Sequence, residues 1–311
     1  MEEDDNIVEV RCVVCQSSSY EILFKVGKNN EPINFSICCD CGLSYLNPRW
    51  TKSAYDEYYA TEYDGNYREV ELTPELNSKK YKNIKVVLKR LVESDVSISP
   101  NMVLDIGSGM GWSSLYLKNE VFPSATYFAI EPSIHCRNNL NKIGIEVLTD
   151  DVDSEWQKGE KKFDFIIMRH VLEHFMNPVE VLKKVSQSLS ENGVLYVAVP
   201  NTRQPGRPVE ETFLRVVHTY YFTPKSIMNC FRLAGLKPVA IIENDDDNPY
   251  ELFAFVTKSD VANAVIDASE FGITKESLEM AIKEDNSTIG SLKVKVKRRL
   301  RKLGLSFSLH H

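Results

Sequence analysis

Long apolar runs are missing from this chain. Stretches such as VLYVAV at 194–199 are its longest, against the roughly 20 residues that a membrane-spanning helix needs. The opening residues, MEEDDN, are acidic and polar and lack the pattern of a secretory leader. Both absences point to the cytoplasm. Basic charge is also scarce outside one place. There are 37 Lys and Arg against 44 Asp and Glu, for a net charge of −7. Seven of the basic residues lie in KVKVKRRLRK at 293–302, so the rest of the chain has 30 against 44, or −14. A body that acidic is a poor match for the broad phosphate-binding surface of an RNA or DNA enzyme, and no nucleic-acid partner is expected. Histidine is sparse too: six residues, of which His310 and His311 are terminal.

Cysteine is not scarce, and it is grouped. Cys12 and Cys15 form CVVC, and Cys38 and Cys41 bracket CCDC, giving C-x2-C-x22-C-x2-C. Each short pair fits a tight knuckle that presents two thiolates, and two knuckles close a tetrahedral zinc site. Four thiolates leave no place for a substrate, so this zinc is structural. It holds together a segment too small for its own core. Cys39 is the spare thiol. YEILFKV and INFSIC between the pairs alternate as a hairpin would, and 1–48 reads as a zinc ribbon. Residues 49–98 form an aromatic-rich linker and a helical segment, the latter being ELNSKKYKNIKVVLKRLVE. The spacing of Tyr55, Tyr58 and Tyr59 predicts packing rather than pocket lining.

From 99 to 258 strands and helices alternate. Strands are expected at MVLDIG, TYFAIEP, IEVLT, FDFIIMRH, VLYVAVP, KPVAIIEND and YELFAFVTKS. One of the helices between them, PVEVLKKVSQSLSENG, is expected to end at Gly193. Alternating units predict an α/β, doubly wound, mostly parallel sheet. The last two strands are joined by a short turn and must be antiparallel, so the last strand is reversed.

The first strand runs into VLDIGSGMGW. A dinucleotide fingerprint needs G-x-G-x-x-G, and here the third spacing is wrong. A phosphate-binding loop needs Lys-Ser/Thr after its last glycine, where this chain has Trp112-Ser113. Asp105, Ile106, Gly107, Gly109 and Gly111 instead match the acid, apolar residue and G-x-G-x-G of class I S-adenosylmethionine-dependent methyltransferases, which the chain resembles over about 100–258. That resemblance implies their Rossmann-like seven-stranded sheet and their cofactor. It places Asp105 by the cofactor's ammonium and Glu131, in AIEP, on both ribose hydroxyls. Asp151, or else Asp150, would meet the adenine amino group. The implied cofactor site takes in Gly107, Ser108, Gly109, Gly111, Trp112, Pro132, Val152, Arg169 and His170 as well.

HVLEH at 170–174 matches the H-x-x-E-H signature of a metallopeptidase family. It begins at the carboxyl end of a buried strand, however, and no downstream helix offers a third ligand, so that reading is rejected. His170 is expected to face the cofactor cleft, with His174 one turn on as pocket wall or base. VVHTYYFTP contains His218, Tyr221, Phe222, Thr223 and, beyond, Ile227. It resembles the H-x-x-x-F-[ST]-x-x-x-[LI] stretch of bacterial methyltransferases from sugar and polysaccharide pathways. If the acceptor is a hydroxyl, a base near neutral pKa removes its proton, and histidine fits. The candidates are His218 and then His174, with Tyr221 beside them.

Residues 259–311 form a helical tail. Leu292, Val296, Leu300 and Leu303 share one face of a basic amphipathic helix over 292–303, a candidate contact for an anionic membrane or a protein. The ribbon, the tyrosine segment, the core and the His218 phrase together resemble sugar-pathway methyltransferases. The sugar C-methylating members carry a longer C-terminal domain, which tilts the expectation to O-methylation of a sugar, sugar nucleotide or polysaccharide. C- or N-methylation, or rRNA methylation by a zinc-ribbon enzyme, stand as alternatives.

Overall fold

The computed structural model describes residues 6–59, 61, 85, 89–91, 93, 94, 96–243, 250–260 and 263–287. The basic helix expected at 292–303 and most of the helix expected at 75–93 lie outside these residues. Lys85, Lys89, Arg90, Leu91 and Glu93 are helical.

Two short strands, β1 (Ile7–Val8) and β5 (Arg49–Trp50), pair antiparallel near the start of the chain, and the helix α1 (Lys52–Tyr58) follows β5. Between them lies the cysteine module. Strands β2 (Tyr20–Val26) and β3 (Pro32–Cys38) form the expected hairpin, and β4 (Ser44–Leu46) adds to β3. The residue after each cysteine pair is left-handed: Gln16 has φ 62° and Gly42 has φ 71°. The reversal folds each pair back on itself, with Gln16 N donating to Cys12 O at 2.8 Å and Gly42 N to Cys38 O at 3.0 Å.

The main sheet has seven strands: β6 (Met102–Ile106), β7 (Thr126–Ile130), β8 (Glu146–Thr149), β9 (Phe163–Arg169), β10 (Leu189–Pro200), β12 (Leu236–Ile242) and β13 (Glu251–Lys258). Their order is β12-β13-β10-β9-β6-β7-β8. Strands β10, β9, β6, β7 and β8 run parallel, and β13 lies antiparallel between β10 and β12. This is the expected sheet with its reversed final strand. Leu104, Ile166, Leu195 and Ala254 are fully buried. Near-continuous apolar runs of this kind belong to strands covered on both faces.

The helices introduced by the crossovers are α2 (Trp112–Tyr116), α3 (Ile134–Lys142) and α4 (Pro178–Ser188). Asn177 caps α4, its side chain accepting from Glu180 N. The expectation that this helix runs to Gly193 is corrected. It stops at Ser188, because Leu189 already pairs with Phe163 in the sheet. Gly193 instead lies inside β10 at a register break, where a Cβ would sit 2.7 Å from Phe163 O.

After β10 come a short helix α5 (Val209–Thr212), a two-residue strand β11 (Tyr220–Tyr221) and α6 (Pro224–Leu233). Thr223 and Ser226 cap α6 reciprocally. Strand β11 does not join the main sheet. It pairs antiparallel with β4, with Tyr220 opposite Tyr45, and completes a four-stranded sheet of order β11-β4-β3-β2. The ribbon's sheet therefore takes a strand from the stretch of chain that follows β10. A further helix, α7 (Ser269–Asn286), buries Leu278 and Ala281 with Ile33, Phe35 and Phe213. A Cβ on Gly42 would meet the Glu270 backbone at 2.5 Å, so only glycine lets α7 come this close.

Candidate functional site

The carboxyl ends of the parallel neighbours β6, β7 and β9 lie along one edge of the sheet, the edge at which open α/β sheets bind ligands. Gly107, Gly109 and Gly111 all have positive φ, at 69°, 55° and 80°. Two of them are needed for packing. A Cβ on Gly107 would sit 2.6 Å from Val171 Cγ2, and one on Gly111 2.6 Å from Leu140 Cδ2. Around Gly109 nothing lies within 4 Å. This is the place where a ligand can approach bare backbone.

Glu131 is buried just below. Its Oε2 accepts from Gly109 N at 2.8 Å and its Oε1 from Ser133 N at 2.9 Å. Ser108 Oγ, in the same turn, is buried with no hydrogen-bond partner among the described residues. A half-buried backbone position with nothing packed over it, an ionisable acceptor under it and an unanswered hydroxyl beside it suit the amino-acid and ribose portions of S-adenosylmethionine. Asp105 is also buried. It is 4% exposed and accepts from Ser114 Oγ at 2.8 Å. Burial pushes its carboxyl up to about 7, against the Ser114 hydrogen bond and with help from Glu131.

The other expected cofactor contacts surround the turn. Trp112 opens α2 half-buried. Pro132 is exposed, and its carbonyl accepts from Arg137. Asp150 is exposed and 3.4 Å from Arg137 Nη2. Asp151 uses Oδ1 to accept from Asp153 N at 2.8 Å, and Val152 O accepts from Trp156 Nε1 at 3.1 Å.

His170, at the end of β9, has φ 53°. Its Nε2 lies 2.9 Å from Glu251 Oε1, an oxygen that also accepts from Arg169 Nη2 at 3.1 Å. The other Glu251 oxygen accepts from Arg90 Nη1 at 2.7 Å. Burial alone would raise the Glu251 carboxyl, but His170, Arg169 and Arg90 together hold it well below the usual range. Burial likewise opposes protonation of His170, and the carboxylates of Glu173 and Glu251 beside it outweigh that cost, so its pKa rises.

His174 and His218 meet edge to face, ring centroids 4.9 Å apart. His174 Nδ1 lies 3.1 Å from Tyr59 Oη. Burial lowers the pKa of both imidazoles, that of His218 well below its ordinary value, with His174 and Arg215 adding to the fall. Both are neutral near pH 7 and able to take a proton. Tyr221 packs its ring 5.8 Å from that of His218. Its hydroxyl is committed to the backbone, donating to Arg215 O at 2.9 Å and accepting from Arg215 N at 3.1 Å. These bonds order the loop that carries His218.

Sequence reasoning passed over three residues here. Glu173, the acid of the rejected H-x-x-E-H motif, lies buried between His170 and His174. Glu251 opens the last strand and gave no signal of its own. Among the tyrosines, Tyr55 packs as expected and donates to Val216 O at 2.9 Å, but Tyr59 reaches His174. The rejected H-x-x-E-H reading stays rejected in form, since His170 turns to Glu251.

The four thiols of the ribbon converge. Cys12 and Cys41 Sγ are 3.5 Å apart, Cys15 and Cys38 Sγ 3.4 Å, and all four lie within 4.8 Å of one another. Tetrahedral zinc with bonds of about 2.3 Å sets sulfurs about 3.8 Å apart, so the cluster fits that ion. Cys39 stands outside it.

The pattern of the methyltransferase domain family matches residues 77–241. A tRNA U34 carboxymethyltransferase of Campylobacter jejuni is 25% identical over 194 residues, covering 58% of this chain and 65% of that protein. The (S)-coclaurine N-methyltransferase of Papaver somniferum is 28% identical over 102 residues, covering 30% and 28%. The chain thus spans less than two thirds of the length of either relative. A solved S-adenosylmethionine-dependent methyltransferase from Clostridium acetobutylicum superposes with a TM-score of 0.45 at 14% identity, covering 66% of this chain and 99% of that one. With the family pattern running over more than half of its length, across the glycine turn, Glu131 and the HVLEH segment, the chain belongs to the methyltransferase domain family and has the class I S-adenosylmethionine-dependent fold.

Proposed function

We propose that the protein transfers the methyl group of S-adenosylmethionine to a hydroxyl of a sugar, sugar nucleotide or related glycan. The observation that carries this reading is the pair of neutral imidazoles, half-buried His174 and buried His218, beside the glycine turn. The cofactor supplies a methyl carbon already activated on a sulfonium, so positioning dominates the barrier. Glu131 and the Gly109 backbone hold the nucleoside, and the HVLEH turn faces the acceptor. His218, or His174 after it, takes the hydroxyl proton. The ribbon, with a structural zinc on Cys12, Cys15, Cys38 and Cys41, supports the loop that delivers His218. No helix among the described residues is long and apolar enough to cross a membrane, and peripheral contact with anionic lipid through 292–303 is part of the same proposal.

The test is mass spectrometry of cell extracts incubated with deuterated-methyl S-adenosylmethionine, with and without the protein. A labelled sugar or sugar nucleotide, methylated on oxygen, is the expected product. Label on carbon or nitrogen, or in RNA, overturns the assignment. The likeness to a tRNA-modifying enzyme favours RNA as the second reading, and a steep loss of RNA affinity with salt would mark it.

A further inference from the structure

Glu173, His174 and His218 present one ligand atom each, all within 4.8 Å of one another. We propose that they form a divalent transition-metal site, separate from the ribbon's zinc, whose open position takes the acceptor's oxygen. The inference rests on the reading of the acceptor as a hydroxyl.

Glu173 is 1% exposed, and neither of its carboxylate oxygens has a hydrogen-bond partner among the described residues. His218 Nδ1 is buried and equally without one. A buried carboxylate is seldom left unanswered, because it has given up water for nothing. His170 Nδ1, at 3.6 Å, is beyond hydrogen-bond reach of Glu173 Oε1, and its Nε2 is taken by Glu251. A cation between the three side chains would answer both orphans at once.

The surroundings fit a ligand set. Tyr59 Oη at His174 Nδ1 leaves Nε2 as the nitrogen toward Glu173, 4.0 Å from Oε1. An outer partner of this kind orients metal-binding imidazoles. Thr219 Oγ1 donates to Glu173 O at 3.1 Å and to Phe175 O at 2.7 Å. Those bonds fasten the His218 loop to the turn that carries the other two ligands. Bonds of about 2.0–2.2 Å would draw the three atoms together by roughly an ångström, within the reach of side-chain torsions. Two imidazoles and one carboxylate suit zinc, cobalt, manganese or iron better than magnesium or calcium, and three protein ligands leave a position open.

The site lies next to the cofactor turn, since Val171 packs directly on Gly107. An acceptor hydroxyl bound to the ion would release its proton to water. Its oxygen electron pair would then form the O–CH3 bond as the S–CH3 bond breaks, leaving S-adenosylhomocysteine. His174 and His218 would serve as ligands rather than as the proton's destination.

The full-length protein, dialysed against a mild chelator and reloaded with cobalt, tests this. Wild type should bind one cobalt more than Glu173→Gln or His218→Gln, with visible absorption of a nitrogen and oxygen site in addition to any thiolate band. Calorimetry with S-adenosylhomocysteine should give the same affinity for all three proteins, which shows that the variants are folded. Equal cobalt content in wild type and both folded variants overturns the proposal. So does undiminished O-methylation by chelator-treated wild type, a result that would leave the hydroxyl reading standing with a histidine base. Label found on nitrogen, carbon or RNA would instead defeat the hydroxyl reading, and with it the role given to the metal.

Discussion

Asp105 is the clearest place to test the energetics of the cleft. Its carboxyl is buried at the end of β6, and burial lifts its pKa from an ordinary 3.8 to about 7. Between those values the folded chain keeps a proton that the unfolded chain has released. Stability must therefore fall as pH rises from about 4 to about 7, and above 7 the full cost remains. The gap is worth about 4 kcal/mol at 1.36 kcal/mol for each pH unit. Asp105→Asn removes the ionisation and keeps an oxygen that can accept from Ser114 Oγ, now at 2.8 Å. The variant should exceed wild type in stability by up to about 4 kcal/mol at pH 8, and the advantage should vanish near pH 4. Urea unfolding of the ligand-free protein at several pH values measures the difference directly. An advantage that does not change with pH would refute the reasoning, because it would mean that Asp105 ionises in the fold as freely as in water. Cofactor should reverse the trend if its ammonium meets the carboxylate.

Glu131→Gln keeps the size of the side chain but removes the charge that two ribose hydroxyls would share. Each charged acceptor is worth about 1 kcal/mol more than a neutral one, so calorimetry should show S-adenosylhomocysteine binding weakened roughly 10- to 100-fold; an unchanged affinity would place the ribose elsewhere. Stripping metal from the thiol cluster, or replacing Cys41 with Ser, should lower the melting midpoint by more than about 5 °C, because Cys12, Cys38 and Cys41 are buried in the same core cluster as Leu172 and Phe222. A midpoint indifferent to both changes would mean that the ribbon closes without an ion.

Much of this architecture is written locally. The strand that carries Asp105, the glycines after it and the acid just past β7 follow one another in short windows, and their spacing sets the site. The C-x-x-C pairs are equally local. What escaped the reading is what depends on distant partners. Leu189 looks helical until Phe163 is beside it. Strand β11 is only two residues long and has meaning only opposite Tyr45 and Ser44. Glu251 becomes the anchor of His170, Arg169 and Arg90 through pairings that no periodicity announces. Glu173 was in view throughout, but its neighbour His218 is supplied by tertiary structure alone.

Because Tyr220 and Tyr221 are stitched to the N-terminal module, that module is not baggage carried by an otherwise complete catalyst. Any chimera that exchanges it between homologues should preserve acceptor choice only if the stretch around 200–222 travels with it, and a truncation beginning after the second knuckle would unmoor the very histidine on which chemistry is proposed to depend.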